Sequence, residues 1–277
     1  MRIITADPTG LCFGVKRAIT TLERELKRTG RVYSLGSPIH NPQEVMRLEG
    51  LGLVVVESPS EVPLGAVSFV RAHGVTPEIY ELLRERSSKT VDGTCPFVKK
   101  AQECAKTLSQ EGYIVVILGD VKHPEVKGIM GYVSGEVHVL ASAEELPKEL
   151  RVGRCGILSQ TTQRVETFSA LVAALVSAAP ELKVYNTICR ATLERQESVR
   201  KLAKKVDGMI VLGGRNSANT KKLAEIGSGY GVPALWIEHA GEVEGEWLKG
   251  KHTIGIAAGG STPDWLIKKV IQKLTQM

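Results

Sequence analysis

Long apolar runs are missing from this 277-residue chain. No stretch approaches the roughly 18 apolar residues of a membrane-spanning helix. The opening MRIITADPTGLC breaks its short apolar run at Asp7 and Pro8, far short of a secretory h-region, so no membrane role and a cytoplasmic location are expected. Aromatic residues are scarce, at 5%, and no block of five or six Lys/Arg occurs. Both absences argue against a nucleic-acid partner, which needs stacking platforms and a basic stripe. No C-x-x-C pair occurs and the five cysteines are an odd number, so a disulfide framework is not expected. No G-x-G-x-x-G opens a helix, and a directly bound nicotinamide is not indicated.

What remains is the composition of an ordinary folded protein, with 43% apolar and 24% charged residues. The formal charge of +6 favours anionic partners.

The order in the chain is a threefold repeat. Apolar runs end on a Leu-Gly pair three times, as VYSLG, IVVILG and MIVLG, and a cysteine stands 23 residues before each leucine: Cys12 before Leu35, Cys95 before Leu118, Cys189 before Leu212. Each pair is followed by a second short run (LVVVESPSEV, VHVLASAEEL, ALWIEHAGEV) and a third (VSFVRAHG, CGILSQTT, TIGIAAGGST). Helical patterning follows the cysteines: Val15, Ala18, Ile19, Leu22 and Leu26 share one face, as do Val98, Ala101, Ala105 and Leu108. Short strands alternating with helices predict an α/β fold of three similar units, each with a short parallel sheet, in a pseudo-threefold arrangement around a central metal cluster, with function at the strand C-termini. The units are expected at 1–95, 96–188 and 189–277, with Cys95 at a boundary.

One cysteine per repeat, just past a strand-like run (TVDGTC, KVYNTIC) and just before a helix, is a metal-binding pattern if equivalent positions meet. A helix N-terminus favours the thiolate that a metal requires. Three thiolates suit either zinc with an open fourth position or a 4Fe-4S cluster with one iron lacking a protein ligand, and spacing does not choose between them. Cys104 and Cys155 have no equivalents and are assigned to packing.

The loops after the strands carry His40, His73, His123 with Glu125, Thr161 with Thr162, Ser217, Asn219 and Ser261. This set is rich in neutral and cationic donors, which suits a phosphate or diphosphate. Helix starts expected near Pro42, Pro124 and Pro263 add backbone donors. Ser217, Asn219 and Ser261 equally suit helix capping. Glu125 is the carboxylate best placed to donate a proton, and it equally suits a first-turn glutamate facing the helix dipole.

Together the blocks GLCFGVKRAI, GSPIHNPQEV, RAHGV, VDGTCPFVKK, HPEVKGIMGY, SQTTQ, CRATLERQESV, NSANTKKL and AGGSTPDWLI resemble the 4-hydroxy-3-methylbut-2-enyl diphosphate reductase family from Leu11 to Asp264. The resemblance implies an iron-sulfur oxidoreductase at the last step of the methylerythritol phosphate route of isoprenoid biosynthesis. Its reaction is the reductive dehydroxylation of (E)-4-hydroxy-3-methylbut-2-enyl diphosphate to isopentenyl and dimethylallyl diphosphates. It further implies one 4Fe-4S cluster on Cys12, Cys95 and Cys189 with one open iron site, and a diphosphate pocket of His40, His73, His123, Ser217, Asn219 and Ser261. Glu125, Thr161 and His123 take catalytic roles, and a ferredoxin or flavodoxin donates electrons. Ala218 departs from relatives that carry a second serine there, which removes one side-chain hydrogen bond. The rival readings are another three-cysteine 4Fe-4S enzyme of quinolinate-synthase type, a zinc hydrolase and a phosphate-binding non-enzyme; the HPEV and NSAN blocks speak against the first.

Overall fold

The computed structural model describes residues 1–147 and 153–277. In chain order the first part runs β1 (Arg2–Thr5), α1 (Phe13–Thr29), β2 (Val32–Leu35), α2 (Pro42–Glu49), β3 (Leu53–Val56), β4 (Val67–Val70), α3 (Pro77–Arg86) and β5 (Lys89–Asp92). It continues as α4 (Pro96–Gln110), β6 (Ile114–Leu118), α5 (Pro124–Met130), β7 (Val137–Leu140), β8 (Arg154–Ser159), α6 (Val165–Val176) and β9 (Glu181–Val184). The last part is α7 (Arg190–Ala203), β10 (Gly208–Leu212), α8 (Ala218–Gly229), β11 (Ala234–Ile237), α9 (Gly245–Leu248), β12 (Thr253–Ala258) and α10 (Asp264–Gln276).

The strands form three four-stranded sheets, ordered β3-β2-β4-β5, β7-β6-β8-β9 and β11-β10-β12-β1, and every pairing is parallel. The expected α/β architecture of three short parallel sheets is what the chain adopts. Each sheet repeats one order, and the edge strands β3, β7 and β11 each lead into a 3₁₀ turn, at Pro59–Glu61, Ala143–Glu145 and Ala240–Glu242. The third sheet takes its fourth strand from the start of the chain: Arg2 to Thr5 of β1 pair with Thr253 to Ile256 of β12.

The chain separates into two compact units. One comprises Met1–Lys16, Ile39–Leu51 and Arg190–Met277; the other comprises Arg17–Pro38 and Gly52–Cys189. The smaller unit holds the sheet β11-β10-β12-β1, and the alternation of side chains along a strand divides its core in two. Ile210, Leu212, Ile254 and Ile256 face Leu266, Val270 and Leu274 of α10. Met209, Val211 and Ala257 face Val199 and Leu202 of α7 and Leu223 and Ile226 of α8. Burying each such Ile, Leu or Val contributes about 1.5–3 kcal/mol, which explains why β10 reads as an uninterrupted apolar run.

The larger unit holds the other two sheets. Val115, Ile117 and Leu158 pack against Ala101, Ala105 and Leu108 of α4 and Val126 and Ile129 of α5. Leu35, Val56 and Val70 pack against Leu83 of α3. Along α1, Ala18, Ile19, Leu22 and Leu26 are buried as their periodicity predicts. Glu25 pairs with Lys89 of the edge strand β5 at 2.6 Å and with Arg28 at 2.9 Å. Among the described residues no helix is long and apolar enough to cross a membrane.

Candidate active site at the strand ends

The three repeat cysteines occupy one local environment three times over. Cys12 directly precedes α1, Cys95 is the N-cap of α4, and Cys189 directly precedes α7. In each case the cysteine amide donates to the carbonyl two residues past the end of the third strand of a sheet. Cys12 N–H donates to Gly260 O at 2.9 Å, Cys95 to Ala72 O at 3.0 Å and Cys189 to Thr161 O at 3.0 Å. All three are partly exposed, whereas Cys104 and Cys155 are buried. Burial pushes the Cys155 thiol up to about 11 and that of Cys104 in the same direction, so these two stay protonated and serve as packing. Cys12, Cys95 and Cys189 are each a partly exposed thiol at a helix start, the kind of donor that an iron-sulfur cluster takes.

In the larger unit the strand-end loops form a connected set. α5 begins at Pro124, as expected, and His123 caps it, its Nδ1 accepting the Glu125 amide at 3.1 Å. That acceptor role leaves the proton of the neutral ring on Nε2, which becomes a hydrogen-bond donor. Burial, with the field of Arg71 added, pulls the His123 pKa down to about 4 against the opposing field of Asp120. The ring stays neutral at physiological pH. His73 meets it edge to face, with ring centroids 5.3 Å apart.

Glu125 lies in the first turn of α5 but serves more than the helix dipole. It is 2% exposed, and its carboxylate reaches Thr161: Oε1 accepts the Thr161 amide at 2.6 Å and Oε2 accepts the Thr161 hydroxyl at 3.0 Å. Burial raises its pKa to about 7, and the two Thr161 bonds pull only partly the other way. A carboxylic acid that exchanges its proton near neutrality is the type of group that serves as a general acid. The Thr161 carbonyl in turn accepts the Cys189 amide, so Glu125 and Cys189 meet at one residue.

The smaller unit gathers the remaining residues. Ser217 caps α8, accepting the Thr220 amide at 3.2 Å, and Asn219 follows in the first turn. Ser261 Oγ donates to the His40 carbonyl at 3.2 Å. The same carbonyl comes so near Gly214 that a Cβ there would stand 2.4 Å from it. A Cβ on Gly260 would lie 3.5 Å from Cys12 Sγ and 3.8 Å from Asn219 Nδ2, which puts the cysteine and the asparagine on one glycine. Pro42 opens α2 behind the cap Asn41, and Pro263 is the N-cap of α10, so all three expected helix starts fall within one residue. Ala218 is the first residue of α8 and offers no side-chain donor at that turn.

Two buried glutamines support these loops. Gln102 of α4, 4% exposed, lies against the Gly74 backbone beside His73 and against Gly128 of α5. Gln160 Oε1 accepts the Asp120 amide at 3.2 Å, fixing the turn that leads to His123. Gly128 and Gly131 let α5 settle on residues 73–76: a Cβ on Gly131 would stand 2.5 Å from Thr76 Cβ. The Gly-x-x-Gly spacing was the one sequence signal available for this contact.

Known proteins resemble this chain along its whole length. The family model described as LytB protein matches residues 3–275. A 4-hydroxy-3-methylbut-2-enyl diphosphate reductase from Geobacter sp. (strain M21) is 46% identical, covering 99% of this chain and 97% of the relative. One of the same name from Aquifex aeolicus (strain VF5) is 44% identical over 99% and 96%. A solved structure of (E)-4-hydroxy-3-methyl-but-2-enyl diphosphate reductase, described as the terminal enzyme of the non-mevalonate pathway, superposes with a TM-score of 0.74 at 43% identity, covering 100% of both chains. A structure of the E-1-hydroxy-2-methyl-but-2-enyl-4-diphosphate reductase from Plasmodium falciparum gives 0.92 at 28% identity, covering 99% of this chain and 88% of the other. With the family model matched over residues 3–275 and relatives 46% and 44% identical over 99% of its length, the chain belongs to the LytB family.

Proposed function

We propose that this protein reduces (E)-4-hydroxy-3-methylbut-2-enyl diphosphate to isopentenyl and dimethylallyl diphosphates, the terminal step of the non-mevalonate route, and that Cys12, Cys95 and Cys189 hold a single 4Fe-4S cluster with one open iron site. The reaction consumes two electrons and two protons and releases the allylic hydroxyl as water. The cluster, when bound, supplies the electrons, delivered to it one at a time by a ferredoxin or flavodoxin. The three repeats, 1–95, 96–188 and 189–277, then divide the work, each bringing loops with donors for one anionic substrate.

The observation that carries the reading is the pairing of Glu125 with Thr161. In its protonated form Glu125 donates from Oε2 to Thr161 Oγ, and the threonine hydroxyl then turns its own hydrogen toward the substrate alcohol. A proton thus passes from a buried acid through one hydroxyl to a leaving oxygen. Burial keeps water away from the acid and holds its pKa near the operating pH. Neutral His123, with its N–H on Nε2, donates to a phosphate oxygen, and His40, His73, Ser217, Asn219 and Ser261 complete the diphosphate site. Each charge-assisted bond is worth about 1.5–3 kcal/mol.

The test is an anaerobic assay of the purified protein with a chemical one-electron reductant and the hydroxylated diphosphate. Both isoprenoid diphosphates should form. No reduced product from protein with intact cluster absorbance would contradict the reading.

A further inference from the structure

Arg71 is the first residue of the RAHG turn, two before His73. Its counterparts in the other sheets are Gln160 and Gly259, because the same turn recurs: Gly74 N–H donates to Arg71 O at 3.0 Å, Gln163 to Gln160 at 3.1 Å and Thr262 to Gly259 at 3.0 Å. Only this repeat places a cation at the position.

The guanidinium lies flat against Gly36 at the end of β2. A Cβ on Gly36 would stand 2.4 Å from Arg71 Nη1 and 2.9 Å from Cζ, and the glycine has φ +67°. The positive φ favours glycine there, and the missing side chain leaves room for the fork. Arg71 Nε is buried with no hydrogen-bond partner, and among the described residues no hydrogen bond or ion pair engages the guanidinium. Glu57 acts on it only through its field, and burial lowers its pKa. Its own field reaches His123. A half-buried guanidinium with no hydrogen bond or ion pair is costly, and this one stands at a strand C-terminus with its field on His123, the ring that His73 meets edge to face.

We propose that Arg71 is a further anion-binding residue, its planar fork taking a phosphate oxygen of a diphosphate that also meets His73 and His123. This rests on the reductase reading only for the identity of the ligand. Arginine suits the role because its fork matches phosphate bidentately and its charge persists when buried.

The test uses anaerobically purified holoenzyme, with inorganic pyrophosphate as the calorimetric probe and steady-state kinetics alongside. R71Q should bind pyrophosphate at least about tenfold more weakly. Its KM should rise by a similar factor, with kcat at saturation within about twofold and cluster absorbance unchanged. R71K keeps the charge but loses the fork and should bind roughly three- to tenfold more weakly at an unchanged melting temperature. Wild-type affinity in both variants, or a fall in kcat at unchanged KM, would overturn the proposal. If R71Q does not fold, R71K decides on the same terms. Wild-type protein that binds pyrophosphate yet makes no isoprenoid product would sink the reductase reading while leaving the Arg71 comparison intact.

Discussion

The Glu125 carboxylate grips Thr161 at both oxygens, taking its amide at 2.6 Å and its hydroxyl at 3.0 Å. With the Glu125 pKa near 7, the protonated acid is the minor form above neutrality. Turnover that draws on it should fall about tenfold per pH unit above 7. Glu125→Gln preserves size and most hydrogen bonding but donates no acidic proton. It should lower kcat by a factor on the order of 100 or more, leave KM within a few fold and abolish the alkaline limb. A pH–kcat profile of both proteins checks this, and near-normal turnover in the variant would remove Glu125 from the mechanism.

The same group links stability to pH. Its folded pKa is raised from 4.5 to about 7, so folding favours the protonated form. The stabilisation is complete below pH 4.5 and is lost as pH rises through 7. That loss is on the order of 3 kcal/mol at pH 8. Glu125→Gln has no such dependence, so its melting temperature relative to wild type should climb between pH 5 and pH 8. Parallel curves across that range would show that the carboxyl does not carry the shifted pKa.

Much of this architecture is legible in the sequence because its signals are local. β6 and β10 are buried on both faces and read as continuous apolar runs, the helix after Cys95 shows its buried face as Val98, Ala101, Ala105 and Leu108, and the cysteine-to-leucine spacing repeats. The closing of the third sheet by β1 is not legible, since Arg2 pairs with Thr253 and nothing near either residue encodes the partner. In the site, cysteines and histidines announce themselves by chemistry. Gln102, Gln160 and Arg71 do not, because what sets them apart is burial and close backbone approach, which exist only once the sheets are assembled.

The seating of α5 on residues 73–76 can be tested by two glycines. A Cβ on Gly131 would stand 2.5 Å from Thr76 Cβ and 3.2 Å from its Cα, so Gly131→Ala must move the helix that carries His123 and Glu125. The cost should be about 1–3 kcal/mol, with a loss of kcat. At Gly128 the nearest atom is 3.4 Å away, the end of the flexible Gln102 side chain. Gly128→Ala should be tolerated, even gaining from alanine's better helix propensity. Melting temperatures of the two variants separate them, and equal effects would mean that the close approach at Gly131 is not what positions α5.

The most direct measurement is the iron and sulfide content, with visible absorbance, of five single variants purified anaerobically: Cys12→Ser, Cys95→Ser, Cys189→Ser, Cys104→Ala and Cys155→Ala. The first three should lose the cluster, or hold a labile one, and lose turnover with it, while the last two retain colour and activity at somewhat lower stability. Full cluster content in any of the first three, or its loss in either of the last two while the fold persists, would contradict the assignment of one ligand to each repeat.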